Sequence, residues 1–135
     1  MNHNETQKKE IPIFDPEYLN QMVEVEKQLR KKLIPSLIQS FHEMCEKFLL
    51  TSFRHAESKA FDVLKKDAHC LKSSCGQLGA NKLAEICRQI ETHSSVHLED
   101  YLALLFEFKS LYPLSKAALE EYTRRTYEGP HSGRG

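Results

Sequence analysis

Along this chain apolar residues recur at helical spacing, and nowhere do they alternate with polar ones over a run bounded by turns, which argues for helices and against strands. The clearest stripe is Phe61, Leu64, Ala68, Leu71, Cys75 and Leu78, spaced three and four residues apart, so one side of this helix faces a core. Gly79 is a natural end for it, at a position that calls for positive φ. An earlier pattern, from about Leu29 to Ala56, turns Leu33, Leu37, Phe41, Met44, Phe48 and Ser52 inward, with Pro35 breaking or starting it. After the clearest stripe, Asn81 is placed to cap a helix carrying Leu83, Ile86, Cys87 and Ile90 on its inner side, and the chain turns around Ser94 and Ser95. A last helix begins near Leu98 with Tyr101, Leu104, Leu105, Phe108 and Leu111 inward, and Pro113 must kink or restart it before about Arg125.

At the start of the chain Asp15 is placed to cap a short helix with Pro16 at its first position, and Phe14 to pack on Leu19 as a staple. Leu19, Met22, Val23 and Glu26 fall on one line of that helix, and Tyr18 and Val25 widen its apolar face beyond one core contact, as a docking surface would. These elements predict an all-α fold, an antiparallel four-helix bundle with an additional short N-terminal helix. The bundle spans residues 13–127, between ends at 1–12 and 128–135 that have the composition of disorder.

The polar side of the helix from Phe61 to Leu78 carries the candidate chemistry. Asp62, Lys65, Lys66, His69, Ser73 and Gly76 share the arc opposite the core stripe, with Lys72 at its edge. At spacings of three and four residues His69 has Lys65, Lys66, Lys72 and Ser73 as neighbours. Ammonium groups disfavour a charged imidazole and so favour the neutral ring, which is a competent nucleophile. A phosphoryl group gained there would bring almost two negative charges, which the same lysines compensate through charge-assisted hydrogen bonds.

The run Ala68, His69, Leu71, Lys72, Ser74, Leu78, Gly79, Ala80 resembles the phosphoacceptor helix of histidine-containing phosphotransfer domains, whose pattern is Ala-His-x-Leu-Lys-Gly-Ser-Ser followed by Leu or Ile-Gly-Ala. The likeness extends from Phe14–Leu19, through Phe41, to Leu83–Glu91, and covers about residues 14–126. One position departs: Ser73 stands where the family usually has glycine. Serine is small and can donate a hydrogen bond to a phosphoryl oxygen, though it can also narrow the range of partners.

The resemblance implies a phosphorelay intermediate. His69 would take a phosphoryl group from the aspartyl phosphate of a receiver domain, as in a hybrid sensor histidine kinase, and pass it to the receiver of a response regulator. Lys72 and Ser73 would hold phosphoryl oxygens. Glu91 would hydrogen-bond the ring nitrogen that carries no phosphoryl group and so fix the tautomer. Lys65, Lys66, Gly76, Gln77, Tyr18 and Met22 would serve docking and electrostatics. The chain would hold no cofactor of its own, the Mg²⁺ coming with the receiver. A bundle that docks a kinase or receiver without carrying phosphate is the other reading the residues leave open.

Composition narrows the field. Nineteen basic and 19 acidic residues cancel, so no global field favours nucleic acid or an anionic membrane. The apolar runs Phe48–Leu50 and Leu102–Phe106 are far shorter than the ~20 residues that span a bilayer, and the polar start is no signal peptide, so a cytoplasmic protein is expected. There is no Gly-rich nucleotide loop, no Walker lysine motif and no acidic cluster for its own magnesium, so the reading is a phosphocarrier without autonomous kinase or ATP-binding activity. Cys45, Cys70, Cys75 and Cys87 lack the spacing of a zinc site, and only Cys70, beside His69, has surroundings that suit a reactive thiol. A metal bundle would need inward Glu and His residues paired across helices, and its one candidate, His42 with Glu43 and Glu46, lacks a matching helix. Nothing in the pattern calls for dimerisation, and a monomer is expected.

Overall fold

The computed structural model describes residues 10–128 and contains five α-helices with no strand among the described residues. They are α1 (Glu17–Leu29), α2 (Ile34–Glu57), α3 (Phe61–Gln77), α4 (Asn81–Thr92) and α5 (Leu98–Thr123), followed by a π-helical turn at Arg124–Glu128. The disorder expected at 1–12 and 128–135 falls mostly outside the described residues; within them, Glu10–Pro12 have no regular structure and Glu128 closes the π turn. No helix among the described residues is long and apolar enough to cross a membrane.

The helices pack in a ring: α3 lies against α2 and α4, and α5 against α2 and α4, while α1 rests on the start of α2. Phe41, Leu64, Leu83, Ile90, Tyr101, Leu105 and Phe108 fill the centre with no more than 1 % of their surface exposed. At about 25 cal/mol per Å² of apolar surface removed from water, this burial is the main favourable contribution to folding. Phe61 stacks on Tyr101 at 4.2 Å between ring centroids, tying the start of α3 to α5.

The structure corrects several sequence expectations. The stripe of α2 is Ile34, Ile38, Phe41, Cys45, Phe48, Ser52 and Ala56, not the one through Leu33, Leu37 and Met44. Leu33 and Leu37 are half-buried and Met44 is 39 % exposed. This helix also starts at Ile34 rather than near Leu29, because Arg30 adopts a left-handed conformation (φ 56°) that ends α1, and Pro35 sits in the first turn of α2. Finally, Asn81 is the first helical residue of α4 and makes no side-chain cap, and Pro16 occupies the cap position of α1, one residue before the place expected for it. Asp15 still accepts the Glu17 N–H, at 3.0 Å, while the ring partner of Phe14 is Tyr122, edge-on at 5.9 Å. Of the kink or restart expected at Pro113, the restart does not occur, and α5 runs through the proline as one helix.

The turn after α3 is the tightest point of the fold. Ala80 N–H bonds the Cys75 carbonyl at 2.8 Å and Gly79 N–H the Gly76 carbonyl at 3.2 Å, the two closures of a Schellman motif. Gly79 takes φ 83° as expected. Its carbonyl also accepts from Asp15 N–H at 2.8 Å, and a Cβ there would stand 1.9 Å from the Asp15 carbonyl oxygen. Left-handed strain and this clash act together, so Gly79→Ala is expected to lower stability by about 3 kcal/mol, read from the urea midpoint; a loss under about 0.5 kcal/mol would show that the turn relaxes freely.

His42 is buried on the α2–α5 seam, 6.0 Å edge-on from Tyr112, and neither ring nitrogen has a hydrogen-bond partner. Burial, and then Lys116, push its pKa below the ordinary value of 6.5 against the opposing pull of Glu120 and Glu46. Since the folded state resists the proton more than the unfolded chain does, the contribution of His42 is fully present above that value and is lost as pH falls below it. Between about pH 7.5 and 5.5 the urea midpoint should therefore drop further in wild type than in His42→Leu; equal drops would assign the pH dependence to other groups.

Candidate functional site

On α3, His69 points away from the core with 61 % of its side chain exposed. One turn on, Lys72 is two-thirds covered, and from the neighbouring helix α4 Glu91 reaches both. One carboxylate oxygen of Glu91, Oε2, contacts Nδ1 of His69, and the other, Oε1, accepts from Lys72 Nζ at 2.6 Å. Lys72 first, then His69, hold the Glu91 carboxyl below its ordinary pKa. An ionised carboxylate only accepts, so the bond assigns a ring proton to Nδ1, and in the neutral ring the lone pair then lies on Nε2.

The remaining predicted residues fall into two groups. Tyr18, Gly76 and Gln77 form a second cluster toward the end of α3: Gln77 Nε2 donates to Tyr18 OH at 3.1 Å. Tyr18 and Gly76, with Asp15, Glu17, Gln21, Gly79 and Asn81, line a shallow depression beside α1. Gly76 is exposed, and a Cβ added to it would meet nothing within 4 Å. Seven residues separate it from His69, which on a helix is about two turns, or ~10 Å along the same face. Met22 is half-buried and packs on the core. Lys65, Lys66 and Ser73 stay on the His69 face of α3, Lys65 and Lys66 in the preceding turn and Ser73 in the next, but none hydrogen-bonds or ion-pairs with the His69, Lys72 and Glu91 group among the described residues. The Lys72 ammonium is thus already paired with a carboxylate, which weakens the expected crowding of the ring by positive charge.

The residue types match those of a known family. The model of the Hpt domain matches residues 17–122, most of the chain. The chain belongs to the Hpt domain family. Hpt domains are helical phosphocarriers of two-component phosphorelays rather than kinases. No curated protein and no solved structure gives a significant match.

Other candidates lose ground in this Hpt domain. His42, Glu43 and Glu46 do not converge: Glu43 is exposed and bonds Gln39, while Glu46 accepts from Tyr112 OH at 3.1 Å. No group of three His, Cys, Asp or Glu residues suited to a metal ion occurs among the described residues. All four cysteines are free; Cys45, Cys75 and Cys87 are buried and Cys70 is exposed. The Cys45 and Cys87 thiols against Cys75, and then burial, push the pKa of Cys75 up and keep it protonated.

Sequence reasoning missed Glu26 and Tyr127. Glu26 is only 7 % exposed and accepts from the N–H groups of Leu33 and Ile34, at 2.5 and 2.7 Å, and from Tyr127 OH at 2.6 Å. The signal was a carboxylate on an otherwise apolar line of α1. If Glu91 sets the tautomer, ¹⁵N spectra of wild type should show His69 protonated at Nδ1, and Glu91→Ala should return the mixture of tautomers seen in free imidazole; an unchanged pattern in Glu91→Ala would remove Glu91 from this role.

Proposed function

We propose that this protein is a phosphorelay intermediate that accepts a phosphoryl group on Nε2 of His69 and passes it on. Its scaffold is read as an antiparallel four-helix bundle, α2 to α5, with α1 as the additional short N-terminal helix. The donor is the aspartyl phosphate in the receiver domain of a hybrid sensor histidine kinase, and the acceptor is the aspartate of a response-regulator receiver. The Nε2–P bond forms as the acyl O–P bond breaks, the aspartate leaves as carboxylate, and no proton need move because Nδ1 keeps its own. Reversal with the second receiver returns Nε2 to its starting state.

The observation that carries this reading is the Glu91 bridge. It leaves Nε2 of a solvent-facing ring with its lone pair, and it holds an ammonium group one helical turn away. When the phosphoryl group arrives, Lys72 exchanges the Glu91 oxygen for a phosphoryl oxygen, and Ser73, one turn beyond His69, is within the arc of a second donor. Lys65 and Lys66 add positive potential on the approach side. The Mg²⁺ and most of the electrostatic stabilisation come with the receiver, so the chain needs no cofactor of its own.

Gly76 supports docking on the same face. In a helix interior glycine costs about 1 kcal/mol relative to alanine, yet a Cβ added here would meet nothing within 4 Å among the described residues. The room it leaves is room for a partner, flanked by Tyr18 and Gln77, with Met22 one turn further along α1. The protein is read as a cytoplasmic monomer that binds neither nucleic acid nor membrane.

The test is incubation of wild type, His69→Gln and Lys72→Ala with a radiolabelled phosphorylated receiver and Mg²⁺, scoring acid-labile, base-stable label. Wild type should take label, His69→Gln should take none with its helical spectrum intact, and Lys72→Ala should be slower by about tenfold or more. Binding of receivers without any label on wild type would replace the carrier by a docking module, and an unchanged rate in Lys72→Ala would take that lysine out of the mechanism.

A further inference from the structure

Helix α1 supplies the docking residues Tyr18 and Met22, yet it is thinly attached to the apolar core. Leu19 is its one fully buried apolar residue, and the other buried side chain is Glu26. Tyr18, Met22 and Glu26 follow one another at intervals of four, so they lie on one line of the helix. Whatever fixes Glu26 fixes the rotation of that line.

Glu26 is held from two directions. Its carboxylate accepts the Leu33 and Ile34 N–H groups at the start of α2, the unpaired donors of a helix N-terminus, and both its oxygens lie 2.6 Å from Tyr127 OH in the C-terminal π turn. Lys32 covers the Tyr127 ring, 5.0 Å from its centroid. Burial opposes the Glu26 charge, but Tyr127, the two amides and Lys32 together leave its pKa below the ordinary carboxylate value. A second link runs from the end of α5 to the start of α1: Tyr122 OH donates to Asn20 at 2.7 Å and its ring meets Phe14.

We propose that Glu26 and Tyr127 form a latch through which the C-terminal turn positions α1 for docking, making both of them positioning residues for phosphoryl transfer. This rests on the docking reading given above. Neither residue hydrogen-bonds or ion-pairs with His69, Lys72 or Glu91 among the described residues, so the latch acts on partner encounter and leaves the transfer step alone. Tyr127→Phe removes the hydroxyl and keeps the ring beneath Lys32; Glu26→Gln removes the charge and keeps the shape.

Two measurements test it. In transfer from a radiolabelled phosphorylated receiver, Tyr127→Phe should raise KM about fivefold and Glu26→Gln about tenfold or more, with kcat within about twofold of wild type. In hydrogen exchange without any receiver, both variants should speed exchange in residues 17–29 while 61–92 keep their protection. An unchanged KM, a fall in kcat at unchanged KM, or exchange accelerated equally throughout the chain would overturn the latch. If wild type takes no label from any receiver, the phosphorelay reading fails, and the exchange measurement still decides the latch: faster exchange confined to α1 supports it and none overturns it.

Discussion

The reversal of the chain at Gly79 sets the geometry of the site. His69 and Glu91 each lie eleven residues from Ala80. Helices rise about 1.5 Å per residue, so two helices leaving this turn side by side carry the two residues to the same height. One more residue in the connection would slide Glu91 by about 1.5 Å and rotate it by about 100°, taking its carboxylate away from His69 and Lys72. The Schellman closure fixes that length, and the missing side chain lets the Asp15 carbonyl settle against the same residue. A single glycine therefore positions three helices relative to one another: the one that carries the histidine, the one that carries the glutamate, and the one read as the docking helix.

The motif helix and the helix after it were legible because their apolar residues allow one phase only. Leu64, Ala68, Leu71 and Cys75 are buried as the spacing required, and so are Leu83, Ile86, Cys87 and Ile90. Helix α2 was not legible in the same way. It carries apolar residues in adjacent pairs, Leu33 with Ile34, Leu37 with Ile38 and Met44 with Cys45, so two stripes one residue apart share Phe41, Phe48 and Ser52. Packing resolved the choice by burying the compact branched residues and the small thiol, and left the long, adaptable Met44 at the rim near Ser74. The end of α2 was legible, expected at about Ala56 and found at Glu57, although Lys59 rather than glycine adopts the left-handed turn after it.

Polar residues on apolar stripes show why the site was partly legible. Glu26 and His42 both occupy inward positions, and spacing alone treats them alike. Glu26 finds two helix amides and a tyrosine hydroxyl, so its charge is retained in a nearly closed environment. His42 finds aromatic rings and no donor or acceptor, so burial favours its neutral form. Tyr112 beside His42 and Tyr127 on Glu26 are 70 and 101 residues away in sequence, and the two amides belong to the start of the next helix, beyond what local periodicity can report. His69 and Lys72 were different because their relation is local, one helical turn on one face. Glu91 came within reach only through the resemblance, which supplied the long-range pairing that the spacing could not.

On the proposed reading, the pairing of Glu91 with Lys72 also decides how firmly the phosphoryl group is held. An intermediate carrier must accept the group from one aspartate and surrender it to another, so phosphohistidine cannot be stabilised without limit. Lys72 has two claimants, the Glu91 oxygen it bonds in this structure and a phosphoryl oxygen on His69. What the lysine contributes to the phosphorylated state is the difference between these two charge-assisted bonds rather than the whole of one. Partial exposure of all three side chains screens both bonds by solvent, which keeps that difference small. A carboxylate at position 91 thus orients the ring through one oxygen and, through the other, restrains the cation that would otherwise trap the product. An amide at this position could still accept from Nδ1, but it would release the lysine more readily and shift the balance toward the phosphorylated carrier.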